Sequence, residues 1–456
     1  MERLFTQTGL CEHPYFEGIY NHRLHAGHIY GRFPLWDTCY AGAWLFASPV
    51  AGWLTNYFPS RRTTFIMSLL SLGLATILLF IGSSIGLLVV GRVLQGISSA
   101  FTWTAGITLA VESVTDDEVG KTMGICSLGM NLALLVAPIV GGLLLDQGGY
   151  HSVFALAFGL LTLDVLWRLA VVERGAAAPW LGHQKHKYWT TKFGNNGTPQ
   201  IIPSPVRVDS DIEPLWLESD THMIHSKIES LLKENNGSST FGPISVLRML
   251  QHRRLQAALW AAFTATTLIA SLDAVLPIFV RDTFSWGPQG AGLIFIPVVL
   301  PTFLSPYVGA LTDKYGAKWI AGSAFILGCP VWILMRLITH SGVGQVVLLC
   351  ALLTLLGVMT TLAGSSLMAE ITFAVQQICH DQPGESNSRG AMAQANALHS
   401  LSLAAGLLAG PLWGGVMIKV AGWKTLTWTF GLLSGLTVVP TVYFLGDRLV
   451  RPHRMD

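Results

Sequence analysis

Long apolar segments alternate with short polar segments along most of this chain of 456 residues. Many of the apolar segments exceed the roughly 18 residues that identify a membrane-spanning helix. The first half of the chain contains five predicted spans, which lie at Thr38 to Phe58, Thr63 to Ser83, Ile85 to Val111, Lys121 to Leu145 and Ser152 to Val172.

The second half contains six more predicted spans, which lie at Leu255 to Val280, Gln289 to Leu311, Trp319 to Thr339, Val343 to Ile371, Ala391 to Val420 and Thr425 to Leu445. Only 12% of the residues are charged and 51% are hydrophobic, whereas soluble domains carry about twice that charged fraction. The pattern therefore predicts an all-α polytopic membrane protein with about eleven recognisable spans.

The polar segments divide the chain into a polar N-terminal segment (1–37), a first helix bundle (38–173), a central loop (174–254), a second helix bundle (255–446) and a tail (447–456). The central loop is rich in charges, proline, glycine and serine, and we expect it largely to lack regular structure. Lysine and arginine collect in this loop, in the tail and in two short connections, which share one side of the membrane if the spans alternate. The positive-inside rule assigns that side to the cytoplasm.

One short connection occurs twice in related form. The copy in the second half ends a span with glycine, one carboxylate and basic residues, namely Gly309, Asp313, Lys314, Gly316 and Lys318. A fainter copy in the first half contains Gly52, Asn56, Arg61 and Arg62. A carboxylate at such a position can accept hydrogen bonds from a helix N-terminus and so tie two helices together on the cytoplasmic side. Because an asparagine replaces the carboxylate in the first copy, we expect that gate to be weaker or to be held by other groups.

A second repeated element supports a chain of two related halves. The residues Ala137, Pro138, Gly141 and Gly142 correspond in order to Gly410, Pro411, Gly414 and Gly415. Small residues at this spacing line one helix face and allow a neighbouring helix to approach closely.

When the halves are aligned on these elements, the span Leu255 to Val280 has no counterpart in the first half. The segment from Met1 to Trp36 holds too many charged residues and histidines to cross a bilayer. We therefore expect a member of the two-half architecture that lacks its first helix. One rival interpretation is a truncated product without transport activity.

These motifs, in this order, resemble those of the major facilitator superfamily. Gly91 to Gly96 looks like the arginine motif of the fourth helix of that family, and Leu272 to Pro277 is similar to fungal drug:proton antiporters related to vesicular amine transporters. The repeated Gly-Pro-x2-Gly-Gly motif is the one associated with antiporters. The resemblance implies two pseudo-symmetric helix bundles, alternating access about a central site, and export of small organic molecules against inward proton flow. It also implies monomeric function and an acidic residue on the helix that is absent here.

Five polar residues inside spans are the candidates for proton coupling or for the substrate cavity. Arg92 and Gln95 lie one turn apart, and an arginine inside a span costs about 2.5–3.5 kcal/mol, so it should face a cavity or a partner. Asp273 lies well inside its span, where a carboxylate can hold or release a proton as its surroundings change. Gln394 and Asn396 in the penultimate span can bond a substrate, although such residues also join neighbouring helices.

Other residues have structural interpretations. Asp164 and Arg168, four residues apart, predict an ion pair along one helix face. His399 lies in the same penultimate span as Gln394. It can likewise either bond a substrate or join neighbouring helices. The tryptophans of the spans, Trp44 and Trp103 among them, divide between span ends, where they anchor the helix at the membrane interface, and span interiors, where they can stack on an apolar substrate. Anchoring is the default interpretation.

Several function classes find no support in the sequence. No phosphate-binding glycine loop, no paired catalytic carboxylates and no cluster of metal ligands occurs, so we expect neither an enzyme nor a cofactor or metal. The net charge of +2 favours no nucleic-acid partner. The prediction is a proton-coupled multidrug-type antiporter with a small organic substrate, in the plasma membrane or an internal vesicular or vacuolar membrane. A proton symporter or facilitator for uptake is the alternative.

Overall fold

The computed structural model describes residues 33–57, 61–82, 84–112, 114, 118–170, 189–193, 199–203, 249–286, 288–381 and 388–446. Residues Met1–Val165 and Phe241–Asp456 belong to one compact unit, and Leu166–Thr240 form a second. The predicted absence of a first helix concerns residues before the first helix described here, and it lies outside the described part. The tail at 447–456 also lies outside it.

The described residues of the first half form four helices, which are α1 (Phe33–Tyr57), α2 (Arg61–Ile81), α3 (Ile85–Glu112) and α4 (Val119–Ala170). Helix α4 carries two predicted spans, because two helices meet without a loop at Gly149. The backbone of Gly149 has φ 67° and ψ −168°, a left-handed conformation that glycine adopts without the clash a side chain would cause.

The second half contains α5 (Arg253–Phe284), α6 (Pro288–Leu293), α7 (Ile296–Val299), a 3₁₀ turn (Leu300–Leu304), α8 (Ser305–Tyr315), α9 (Ala317–Leu334), a 3₁₀ turn (Met335–Leu337), α10 (Val343–Asp381), α11 (Ser388–Val420) and α12 (Gly422–Phe444). Seven of the described helical segments are long and apolar enough to cross a membrane. Eleven spans remain the prediction for the whole chain.

The single span expected from Gln289 to Leu311 is wrong in detail, because this segment consists of four short helical pieces. Pro297, Pro301 and Pro306 each lie in the first turn of a new piece. Proline has no backbone N–H and clashes with the preceding turn, so it is tolerated at a helix start and interrupts a helix that is already under way.

The central loop contains one element of regular structure among the described residues. Strands β1 (Trp189–Phe193) and β2 (Pro199–Pro203) form a two-stranded antiparallel hairpin, in which Thr191 pairs with Ile201. The loop therefore contains regular structure despite its polar composition.

Helix α10 extends ten residues beyond its predicted end at Ile371 and has 39 residues in all. At 1.5 Å per residue it is roughly 58 Å long, against a hydrocarbon core of roughly 30 Å. Its C-terminal part therefore projects beyond the membrane.

A buried ion pair joins the cytoplasmic ends of the second half. Arg254 at the start of α5 donates through Nε to Oε1 of Glu370 on α10 at 2.6 Å and through Nη2 to Oε2 at 3.0 Å. The backbone N–H of Gly446, just after α12, donates to the same Oε1 at 3.0 Å. The side chain of Glu370 is 0% exposed, so three chain segments depend on one carboxylate.

We expect Glu370→Gln to lower the free energy of unfolding by about 3–5 kcal/mol, because it leaves the half-buried guanidinium of Arg254 without its counter-charge. The measurement is the thermal unfolding midpoint of the detergent-solubilised protein. Asp282→Asn is the matched control, since Asp282 pairs with Arg281 at the surface and exposed pairs contribute little. Equal midpoints for the two variants would contradict a stabilising role for Glu370.

Candidate functional site

The two halves meet at their cytoplasmic helix ends, as the positive-inside rule assigns that side. Asp313, near the end of α8, accepts a hydrogen bond from the backbone N–H of Gly120 at 2.7 Å and another from that of Lys121 at 2.9 Å. These amides belong to the first turn of α4, where helix N–H groups have no partner within the helix. The carboxylate thus caps a helix of the opposite half and opposes its positive dipole end.

The backbones of α8 and α4 also touch directly beside this cap. A Cβ added at Gly309 would collide with the carbonyl oxygen of Gly120, and one added at Gly124 would collide with the carbonyl oxygen of Ser305. Glycine is therefore required at these positions for the approach that brings Asp313 to the helix start.

An equivalent contact joins α1 to α11. In the alignment that matches Ala137 with Gly410, Gly120 and Gly124 correspond to Ala393 and Ala397. A Cβ added at Gly52 would lie 2.5 Å from Cβ of Ala397 and 3.6 Å from the carbonyl oxygen of Ala393. The two repeated glycines, Gly52 and Gly309, thus make corresponding close contacts between the halves.

Other residues of the repeated connections are placed less fully. Gly316 separates α8 from α9 with φ 87°, which favours glycine. Lys314 and Lys318 lie over the rings of Tyr315 and Trp319, at 5.1 Å and 5.3 Å from the ring centroids. The side chains of Asn56, Arg61 and Arg62 lie outside the described residues, so their part in gating stays a prediction.

The second copy of the small-residue motif packs two helices of the second half together. A Cβ added at Gly410 would lie 2.6 Å from the carbonyl oxygen of Thr267 on α5, and one added at Gly414 would collide with Oγ of Ser271. Pro411 lies inside α11, and an added Cβ at Gly415 would meet open space. In the first copy Ala137 and Gly141 are buried, whereas the side-chain environments of Pro138 and Gly142 are not described.

Arg92 and Gln95 lie together on α3, as their spacing predicts. Arg92 is 4% exposed and Gln95 is 0% exposed, and Nη1 of Arg92 donates to Oε1 of Gln95 over a long 3.4 Å. A guanidinium buried inside a membrane helix is rare and marks either a functional pathway or an internal partner.

Asp273 lies on α5, away from both helix ends, and is half-buried. Asp164 and Arg168 are each half-buried on α4, and their pairing stays a prediction.

The polar residues of α11 face the first half. Asn396, 2% exposed, donates through Nδ2 to Oγ1 of Thr108 on α3 at 3.0 Å. Gln394 is 4% exposed, and its Oε1 finds no hydrogen-bond partner within the described part of the chain. A buried amide oxygen in this state is costly unless water or a ligand bonds it.

Aromatic rings of α1, α3 and α11 pack together beside Asn396 and Gln394. The ring of Trp103 lies 6.4 Å from that of Trp44 and 5.9 Å from that of His399, centroid to centroid. Tyr40 packs edge-on against Trp44 at 5.7 Å. Trp44 is only 7% exposed, so the expectation of interfacial anchoring is wrong for this residue.

Two groups of interacting residues are not indicated by any motif. Arg254 and Glu370 form the ion pair described above. The only indication of it in the sequence is that Glu370 is an acidic residue inside an apolar predicted span. The bonds of Trp44 to α11 are between residues far apart in sequence, and composition gives no sign of them.

Comparison with known proteins identifies the architecture. The family model described as Major Facilitator Superfamily matches residues 27–381. The chain belongs to this superfamily. The resemblance stated from the motifs is thus confirmed, as are the helical fold and the assignment to a multi-pass membrane transporter that is not an enzyme.

Relatives and a solved structure cover most of this superfamily member. The MFS-type transporter ppzB of Metarhizium majus is 29% identical over 414 residues, covering 90% of each chain. The chromaffin granule amine transporter of Rattus norvegicus is 23% identical over 403 residues, covering 88% of this chain and 63% of the relative. The crystal structure of the human organic anion transporter MFSD10 matches with a TM-score of 0.63 at 14% identity, covering 94% of this chain and 88% of that one.

We expect Asp313→Asn to loosen the contact between α8 and α4, because the cap loses its charge while keeping its shape. In a cysteine-free background, a cysteine placed at Met123, which is 0% exposed on α4, should react a few-fold faster with maleimide. A cost of 0.3–1 kcal/mol for a helix-end charge corresponds to roughly two- to fivefold.

Glu118→Gln is the matched control for this measurement. Glu118 is an exposed carboxylate beside the same helix start, and its ion pair with Lys121 is long at 4.0 Å. If both variants changed the labelling of the Met123 cysteine equally, the effect would be general electrostatics rather than the cap.

Proposed function

We propose that this transporter exports small, partly apolar organic compounds in exchange for protons by alternating access. The observation that carries the proposal is the placement of Asp273 inside α5, a helix of 32 residues. A carboxylate in a membrane helix is expensive unless it serves a pathway, and it can alternate between charged and neutral forms as its surroundings change.

Contacts at the cytoplasmic ends support alternating access. The Asp313 cap and the close approaches at Gly52 and Gly309 all hold the halves together at that end. Opening toward the cytoplasm requires these contacts to break while others form at the opposite end, which is a population shift between two arrangements.

We assign Asp273 the role of proton carrier and Arg92, with Gln95, a role in proton coupling or as the buried charge of the cavity. Gln394 and Asn396 are assigned to substrate binding, because opening would release Asn396 from Thr108 and expose both amides. The aromatic rings of Trp103 and His399 beside them offer faces on which an apolar ring can stack.

The proposed direction of transport rests on the antiporter-type motif at Gly410–Gly415. The proposed substrate class rests on a relative, the rat chromaffin granule amine transporter, whose name gives an amine as its substrate. An organic substrate that includes an amine is the corresponding proposal for this chain.

We expect purified protein in proteoliposomes to move rhodamine 6G or ethidium when a pH gradient is imposed, with proton movement followed by pyranine trapped inside. Asp273→Asn should abolish the gradient-driven component. Asp282→Asn, on the same helix but exposed and paired with Arg281, should leave it intact.

Flux of these probes that ignores the gradient in the unmodified protein would overturn proton coupling. Flux in which protons and probe move in the same direction would instead indicate a symporter. Unchanged coupling in Asp273→Asn would show that the carrier is another residue.

A further inference from the structure

Three buried side chains join α1 of the first half to α11 of the second half. Nε1 of Trp44 donates to Oγ of Ser400 at 2.8 Å, and Oγ of Ser400 lies 3.1 Å from Oγ of Ser48. Ser48 and Ser400 are both 0% exposed. Both hydroxyls are buried, so their hydrogen bonds must come from the protein, and one of them joins the two halves.

The direction of every proton in this group follows from the geometry. Oγ of Ser48 donates to the backbone carbonyl of Trp44 at 2.8 Å, and a serine hydroxyl has only one proton to donate. Ser400 must therefore donate to Ser48, while it accepts from the indole of Trp44. The result is a closed chain that begins and ends on Trp44, in which each bond polarises the next.

The corresponding contact between α8 and α4 is held by different chemistry. In the repeat, Trp44 and Ser48 correspond to Pro301 and Ser305, and Ser400 corresponds to Ser127. Proline has no side-chain donor, and the hydroxyl oxygen of Ser305 has no partner among the described residues. Ser127 instead accepts from Asn131 of its own helix at 3.4 Å.

Within the described residues, both the α8–α4 contact and the α1–α11 contact thus contain polar bonds between the halves. The α8–α4 contact uses the charged cap of Asp313 on backbone N–H groups. The α1–α11 contact has Asn56 where the other has its aspartate, and it uses uncharged hydrogen bonds deeper in the helix pair.

We propose that Trp44, Ser48 and Ser400 form a neutral lock that closes the cytoplasmic side between α1 and α11, in place of the acidic cap that the first-half loop lacks. The inference rests on alternating access as proposed above, because only then must the halves separate here. The three residues act by positioning the halves and need not touch the substrate. Opening at this end breaks both bonds between the helices and leaves their donors to be hydrated.

The test measures opening directly in the full-length chain. All six native cysteines are replaced, and one cysteine is introduced at Ala51, which is 0% exposed on α1, one turn beyond Ser48. Its rate of reaction with maleimide, without substrate or pH gradient, reports how often α1 and α11 part.

We expect Trp44→Phe and Ser400→Ala each to increase this rate by about three- to tenfold, because the first removes one and the second removes both of the buried hydrogen bonds between the helices. The double variant should be no faster than the faster single variant, because both substitutions break the same chain. Trp423→Phe is the matched control: its indole donates to the carbonyl of Met335 at 3.0 Å within the second half, so the rate should stay unchanged.

Single variants that keep the unmodified thermal midpoint and label at the unmodified rate would overturn the lock. Additive effects in the double variant would overturn the closed chain. If Trp44→Phe does not fold, Ser400→Ala and Ser48→Ala carry the same comparison. If the unmodified protein showed no proton-coupled flux while the lock variants still labelled faster, as expected, that result would count against the proposed function alone. The labelling requires neither protons nor substrate.

Discussion

Every polar group inside a bilayer must find its partner within the protein, and most features of this structure follow from that constraint. Backbone groups meet it by forming helices, and hydroxyls meet it by bonding the carbonyl one turn earlier, as Thr76 does with Leu72 at 2.8 Å and Thr108 with Thr104 at 2.7 Å. Several groups that are not satisfied within one helix connect helices instead. Glu370 fixes the arrangement of one half, and Asp313 and Ser400 connect the two halves.

The spans could be predicted because an apolar run of sufficient length has one stable structure in lipid. The segment after Gln289 shows where this reasoning fails, since hydropathy averages over a window and does not register the prolines that divide it. The bond from Asp313 to the start of another helix was indicated by the repeated connection, because a carboxylate at such a position can accept hydrogen bonds from a helix N-terminus.

The remaining parts of the site could not be predicted from the sequence. Glu370 and Arg254 are more than a hundred residues apart, and neither belongs to a repeated motif. Trp44 reads as an interfacial anchor on composition, whereas the structure buries its indole against Ser400. A pair of this kind depends on how two helices from different halves are placed, and periodicity within each helix carries no information about that placement.

Because α10 is long, a small tilt of this helix produces a large displacement at its end. Helices are stiff along their axis, so a tilt of a few degrees near the membrane centre becomes a displacement of roughly 3–5 Å at a tip that lies about 40 Å away. Glu370 couples this helix to Arg254 at the start of α5. Movement of α5 would therefore be transmitted along α10 to its aqueous end near Asp381. A spectroscopic probe attached there would amplify motions that are too small to follow inside the bilayer.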